Sequence, residues 1–76
     1  METIKYFTKK EIREALKNRL GSNFCIQLAG IANKSKPWVS RHISGTLRTK
    51  EGRKLIAQQM GKVNGEFVKM SQIYPE

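Results

Sequence analysis

The sequence predicts an all-α fold, a compact bundle of four to five helices built from one domain over residues 1–76. Three observations carry this. Apolar residues recur at helical spacing in four consecutive stretches. Each stretch lies between a capping residue and a stop residue: Thr8 to Gly21, Ser22 to Asn33, Ser35 to Gly45 and Thr49 to Gly61. With 76 residues, 38% hydrophobic and 28% charged, the chain is globular and supports one core, not two domains.

The first helix begins after Thr8, because Thr8-Lys9-Lys10-Glu11 has the form of a capping box. Phe7 and Ile12 are spaced for a hydrophobic staple across that start. Ile12, Ala15, Leu16 and Leu20 then share one face, and Gly21 ends the helix. Ser22 is the expected cap of a second helix running to about Ala32. Leu28, Ile31 and Ala32 mark its inner side, with Phe24 or Cys25 contributing near its start. Asn33 tolerates the left-handed conformation that stops a helix. Ser35 caps the third helix, which carries Pro37 in its first turn, where the missing amide proton is harmless. Only one or two residues are expected between the second and third helices, the form of a helix-turn-helix. Thr49 caps a fourth helix over about Lys50 to Met60, with Leu55, Ile56 and Met60 as its apolar positions. In the segment 62–76, Asn64-Gly65 fits a hairpin turn, but Gly65 to Met70 also fits a short helix burying Phe67 or Val68, and the helix is the reading preferred. Ile73, Tyr74 and Pro75 read as an apolar lock on the core or as a dimer element.

Composition excludes several functional classes. One cysteine allows neither an internal disulfide nor a zinc-holding cluster. All six acids are glutamates and there is one histidine, which removes most carboxylate metal sites and any triad that needs His with Asp. The longest mostly apolar stretch, Phe24 to Ala32, is far shorter than the roughly 20 residues needed to span a bilayer. Residues 1–10 contain no apolar run of the kind a secretory signal needs. The expectation is a small, soluble, cytoplasmic protein, not an enzyme, with no cofactor, metal or small-molecule ligand.

Charge points to the partner. Lys and Arg number 15 against 6 acids, for a formal net charge of +9. The acids are Glu2, Glu11, Glu14, Glu51, Glu66 and Glu76, so nothing between Glu14 and Glu51 is acidic. That interval carries Lys17, Arg19, Lys34, Lys36, Arg41, Arg48 and Lys50. A surface without acids meets phosphates without internal competition, which favours a polyanion.

The segment from Leu28 to Gly45, within a motif spanning about 24–45, resembles the helix-turn-helix of lambda-repressor-like and Cro-like phage regulators. Leu28-Ala29 matches the Leu-Ala pair of the first motif helix, with Ala29 small enough for a close helix crossing. Asn33 stands where the family usually has glycine. Ser35 matches the cap, and Val39-Ser40-Arg41 with Gly45 matches the recognition helix and its stop. Glu51-Gly52-Arg53, Leu55-Ile56-Ala57, Met60-Gly61 and Ile73-Tyr74-Pro75 look like the C-terminal half of small Ner-type phage regulators. This chain is longer between Gly61 and Tyr74. The resemblance implies a sequence-specific, double-stranded-DNA-binding transcriptional regulator of phage or prophage type. It would more often repress than activate, and would act in a bacterial host cell, in association with the nucleoid.

Helical geometry agrees. At about 100° per residue, Val39 and Ile43 point one way while Pro37, Ser40, Arg41 and Ser44 point the other. The outer face is polar and cationic, suited to the major groove. Arg41 can donate two hydrogen bonds to a guanine edge, and Ser40 and Ser44 can bond bases or phosphates. Ser35 and Lys36 lie at the helix start, where free amides favour a phosphate. Pro37 and Trp38 can meet a thymine methyl or a sugar, although Trp38 suits core or subunit packing equally well. Thr46, Arg48 and Lys50, with Thr49, follow the recognition helix and can clamp the backbone. His42 reads as a packing residue on the flank of the buried face, and Cys25 as a small apolar one. Recognition by residues 35–44 of a single half-site gives limited affinity, which favours a homodimer on a palindromic operator over a pair of monomers bound side by side. Two other classes fit the charge: an architectural or excisionase-like DNA-bending protein, and an interaction module for an acidic protein. RNA binding fits less well, since the expected run of aromatics and a GXXG loop are missing.

Overall fold

The computed structural model describes residues 5–75. Within them lie α1 (Lys9–Leu20), α2 (Phe24–Ala32), α3 (Lys36–Ser44) and α4 (Lys50–Met60). A two-stranded antiparallel ribbon follows, β1 (Lys62–Val63) and β2 (Glu66–Phe67), and then a single 3-10 turn at Met70–Gln72. The architecture is mainly helical with one small sheet. Among the described residues, no helix is long and apolar enough to cross a membrane. The expectations on Met1, Glu2 and Glu76 lie outside the described residues.

Side-chain caps hold the starts of α1 and α4, whereas the cap residues of α2 and α3 make no side-chain capping bond. At α1 the capping box forms on both sides: the Glu11 amide donates to Thr8 Oγ1 at 3.2 Å and the Thr8 amide donates to Glu11 Oε1 at 3.0 Å. These bonds hold the Glu11 carboxyl below its ordinary range, the backbone amide of Thr8 contributing most. The start of α2 also departs from the expected position. Its cap is Asn23 rather than Ser22, and that side chain makes no capping bond. Gln27 anchors this end instead, its side-chain amide donating to the Leu20 carbonyl at the end of α1.

Asn33 ends α2 in the left-handed conformation, φ 56°. The Lys34 amide then closes the turn on the Ala29 carbonyl at 2.9 Å. Residues 33 and 34 lie between α2 and Ser35, which is extended as the α3 cap, the short turn that the spacing predicted. Gly45 takes the left-handed stop of α3, φ 83°. Thr49 caps α4, its hydroxyl accepting from the Gly52 amide at 3.2 Å.

The core is drawn from every helix: Ile12 and Leu16 from α1, Phe24, Leu28 and Ala29 from α2, Val39 and Ile43 from α3, Ile56, Ala57 and Met60 from α4. Burying a side chain of this kind contributes about 1.5–3 kcal/mol. Ile31 is a correction. It was expected on the inner side of α2, yet it is 56% exposed. Leu28 and Ala29 fix the buried direction of that helix, and Ile31 lies to one side of their arc.

The segment after α4 is the second correction, because no helix forms over 65–70. Asn64 (φ 54°) and Gly65 (φ 83°) both take positive φ, the geometry of a tight primed turn, and pair Lys62 with Phe67 and Val63 with Glu66. Of Phe67 and Val68, one of which was expected to be buried, Val68 packs partly buried against the core, while Phe67 is 73% exposed under the Lys62 ammonium, 4.8 Å from its ring centroid.

The last residues do lock the core. Ile73 is fully buried, and its carbonyl accepts from Nε of the buried Arg53 at 2.8 Å. The Phe7 amide donates to the Gln72 carbonyl at 2.9 Å, joining the segment before α1 to this strap. Tyr74 reaches back to α3, donating its hydroxyl to the Ile43 carbonyl at 2.9 Å.

Candidate nucleic-acid interface

Helix α3 divides sharply by face. Val39, His42 and Ile43 are buried, whereas Lys36, Pro37, Ser40 and Arg41 are exposed. The period of the helix produces this split, and three packing features hold its rotation.

The first is His42. Its Nδ1 lies 2.7 Å from the Trp38 carbonyl and its Nε2 lies 2.7 Å from Thr49 Oγ1. A carbonyl only accepts, so Nδ1 carries the proton. Nε2 then accepts from the Thr49 hydroxyl, with the Thr49 amide also facing it at 3.4 Å. A relay therefore runs from the Gly52 amide through the Thr49 hydroxyl to the imidazole, joining α4 to α3.

The second is the space left by the missing side chain at Gly52. A Cβ there would overlap the His42 ring. Glycine costs a helix interior about 1 kcal/mol relative to alanine, and here it provides the space the imidazole fills. The third is Tyr74, whose ring lies on the backbone of Gly45 and whose hydroxyl closes on Ile43. Burial raises the Tyr74 pKa above its ordinary 10.0, against the opposing charge of Arg48, so the hydroxyl remains a donor at neutral pH.

The predicted contact residues fall into two groups. Lys36, Pro37, Ser40 and Arg41 share the exposed face of α3, with Ser35 exposed at its start and Lys50 at the start of α4. The Ser35 hydroxyl makes no capping bond. The second group has protein partners. Trp38 is half-buried against the core, its ring 4.2 Å from that of His42 and 5.7 Å below the Lys34 ammonium. Ser44 donates to the Arg41 carbonyl and shares a hydrogen bond with Thr46, both at 3.1 Å. Arg48 donates through Nε to the Gly45 carbonyl at 2.8 Å and through Nη1 to the Pro75 carbonyl at 3.4 Å, with its guanidinium 5.4 Å from the Tyr74 ring centroid. In these positions Trp38, Ser44 and Arg48 hold the ends of α3 and the C-terminal strap.

Tertiary structure adds residues that sequence reading left out. Lys9 and Arg13 of α1 line one cleft together with Ser40 and Ser44 of α3. Nothing in the linear charge pattern flags them, because Glu11 and Glu14 are their close neighbours in sequence. Gly52 was readable as a glycine in the first turn of α4, but its partner His42 was not. The acids of α4 and the ribbon lie elsewhere: Glu51 borders a groove with Ile31 and Leu55, and Glu66 one with Lys5 and Tyr6.

Chemically, the exposed face offers hydroxyl, ammonium and guanidinium groups, which suit base edges and phosphates. Among the described residues, no cluster of three or more His, Cys, Asp or Glu is placed to hold a metal ion. No family model matches this chain, nor does any curated protein or solved structure.

Proposed function

We propose that the protein binds double-stranded DNA sequence-specifically, as a transcriptional regulator of phage or prophage type. In this reading α2, the turn at 33–35 and α3 form a helix-turn-helix of the lambda-repressor-like kind, and residues 35–44 enter the major groove. One observation supports it above the others: the exposed face of α3 carries Lys36, Ser40 and Arg41, while the opposite face is fixed by packing and by the His42–Thr49 relay. Such a helix presents its donors at a set angle, which reading a base edge requires. The family resemblance makes the protein a repressor acting as a homodimer in the bacterial cytoplasm, where two half-sites supply the affinity that one small domain lacks.

Selection from a randomised duplex pool, followed by binding across a salt series, tests the reading. The expected result is an enriched motif with two-fold symmetry. Arg41→Ala should lose about 1–3 kcal/mol of affinity on the selected site and relax one base position. Steeply salt-dependent binding without enrichment would move the protein to the architectural, DNA-bending class. Failure to bind any duplex at low salt would remove the DNA reading and leave an acidic protein as the partner.

A further inference from the structure

Helix α1 carries a cationic face that the reading of α3 does not use. Lys9, Arg13 and Lys17 recur every four residues and so share one side of the helix. Lys9 and Arg13 border the cleft where Ser40 and Ser44 of α3 emerge. The same two residues, with Lys10, Lys17 and Phe24, line the adjoining concave surface of α1, where Glu14 is the one acid. Glu11 is turned away. Its carboxylate is held by the Thr8 amide, and it borders a different cleft with Lys5, Phe7 and the ribbon. Among the described residues, neither Lys9 nor Arg13 has an ion-pair partner. Side chains so placed add positive charge directly beside the exposed face of α3.

We propose that Lys9 and Arg13 of α1 bind the DNA phosphate backbone at the edge of the groove that α3 enters, as a second contact that carries no sequence information. The proposal rests on the DNA reading above. The dimensions suit it: from Lys9 to Arg13 the helix advances about 6 Å at 1.5 Å per residue, the rise of about two nucleotides of one strand at 3.4 Å each. Cations on α1 position the molecule, while α3 selects the sequence.

The test compares three full-length proteins on one duplex recovered by selection and on one random duplex. They are wild type, Lys9→Gln with Arg13→Gln, and Lys54→Gln with Lys62→Gln. The last pair removes the same charge from a separate groove, lined mainly by α4 and the ribbon and sharing no residue with the Lys9–Arg13 cleft. All four positions are exposed, so the melting temperatures should agree. The α1 variant is expected to bind both duplexes roughly tenfold more weakly near 0.15 M salt. Its log–log salt slope should fall by about two, with base preference unchanged. The control variant should stay near wild type. Equal losses in both variants, or an unchanged slope in the α1 variant, would overturn the proposal while leaving the DNA reading intact. A wild-type protein that binds neither duplex would overturn both. Amine-reactive labelling of the unmodified chain gives an independent check: duplex should protect Lys9 and leave Lys62 reactive, and the reverse pattern counts against the proposal.

Discussion

On its inner side α3 presents Val39, His42 and Ile43, each at most 4% exposed, with both imidazole nitrogens of His42 bonded to protein atoms. On its outer side it presents Lys36, Pro37, Ser40 and Arg41 to solvent. Nine residues thus carry two opposite designs on one helix. A side chain fixed by packing and hydrogen bonds cannot rearrange around a ligand, but it can hold its helix at one rotation. A side chain with only water around it can bind a ligand without first breaking anything. The inner side therefore aims the outer side, and substitutions on the two should separate stability from binding.

The largest effect is expected from Val39→Lys. Val39 is 1% exposed, and an unpaired ammonium there costs about 3–5 kcal/mol, close to the stability of a domain this small. The variant should be unfolded or nearly so by circular dichroism. A melting temperature near wild type would mean that α3 is rotated from the position described. Gly52→Ala comes next. Alanine gains about 1 kcal/mol in helix propensity, but its Cβ meets the His42 ring, and displacing the ring breaks the relay. A net loss of roughly 2–3 kcal/mol is expected in denaturant melts. A stabilised protein would show that the imidazole moves freely, and the contrast between the two faces would weaken.

Tyr74→Phe keeps the ring on Gly45 and removes the bond to the Ile43 carbonyl, for a loss of about 1 kcal/mol. Truncation of the same residue to alanine should cost more, since the ring contact also goes. A smaller change is expected at Glu11. Its carboxyl titrates below the ordinary 4.5 in the folded chain, so its stabilising contribution is present above that pH and is lost as pH falls further. Glu11→Gln should therefore lose less stability than wild type between about pH 5 and pH 3, measured by thermal melts in matched salt. Smallest of all is Arg41→Ala, which should leave the melting temperature unchanged, since Arg41 is exposed. A clear loss of stability there would mean that the outer face is also structural.

Much of this arrangement was legible in the sequence because it is local. Thr8 with Glu11, Asn33, Gly45, Thr49 and Gly61 act on backbone atoms within a few residues of themselves, so the four helices and their ends could be read directly. The division of α3 into Val39 and Ile43 against Ser40 and Arg41 followed from the helical period alone. The α2 cap was misplaced by one residue, because Asn23 sits there without a side-chain bond and the tie at this end, Gln27 to the Leu20 carbonyl, reaches another helix. The region after α4 was misread because it satisfied two local patterns, a turn at Asn64-Gly65 and a short helix over Gly65 to Met70, and Asn64 and Gly65 both take the positive φ of the turn.

Local chemistry and periodicity, then, determined the helical character of this protein, its breaks and the polar face of α3. Tertiary structure alone decided what lies opposite what. It seated His42 over Gly52, brought Tyr74 back to the end of α3, committed Arg48 to the strap, and set Lys9 and Arg13 beside Ser40. Each of these joins residues far apart in the chain. Such contacts form only when several helices bury their apolar faces together, a condition that no short window of sequence records.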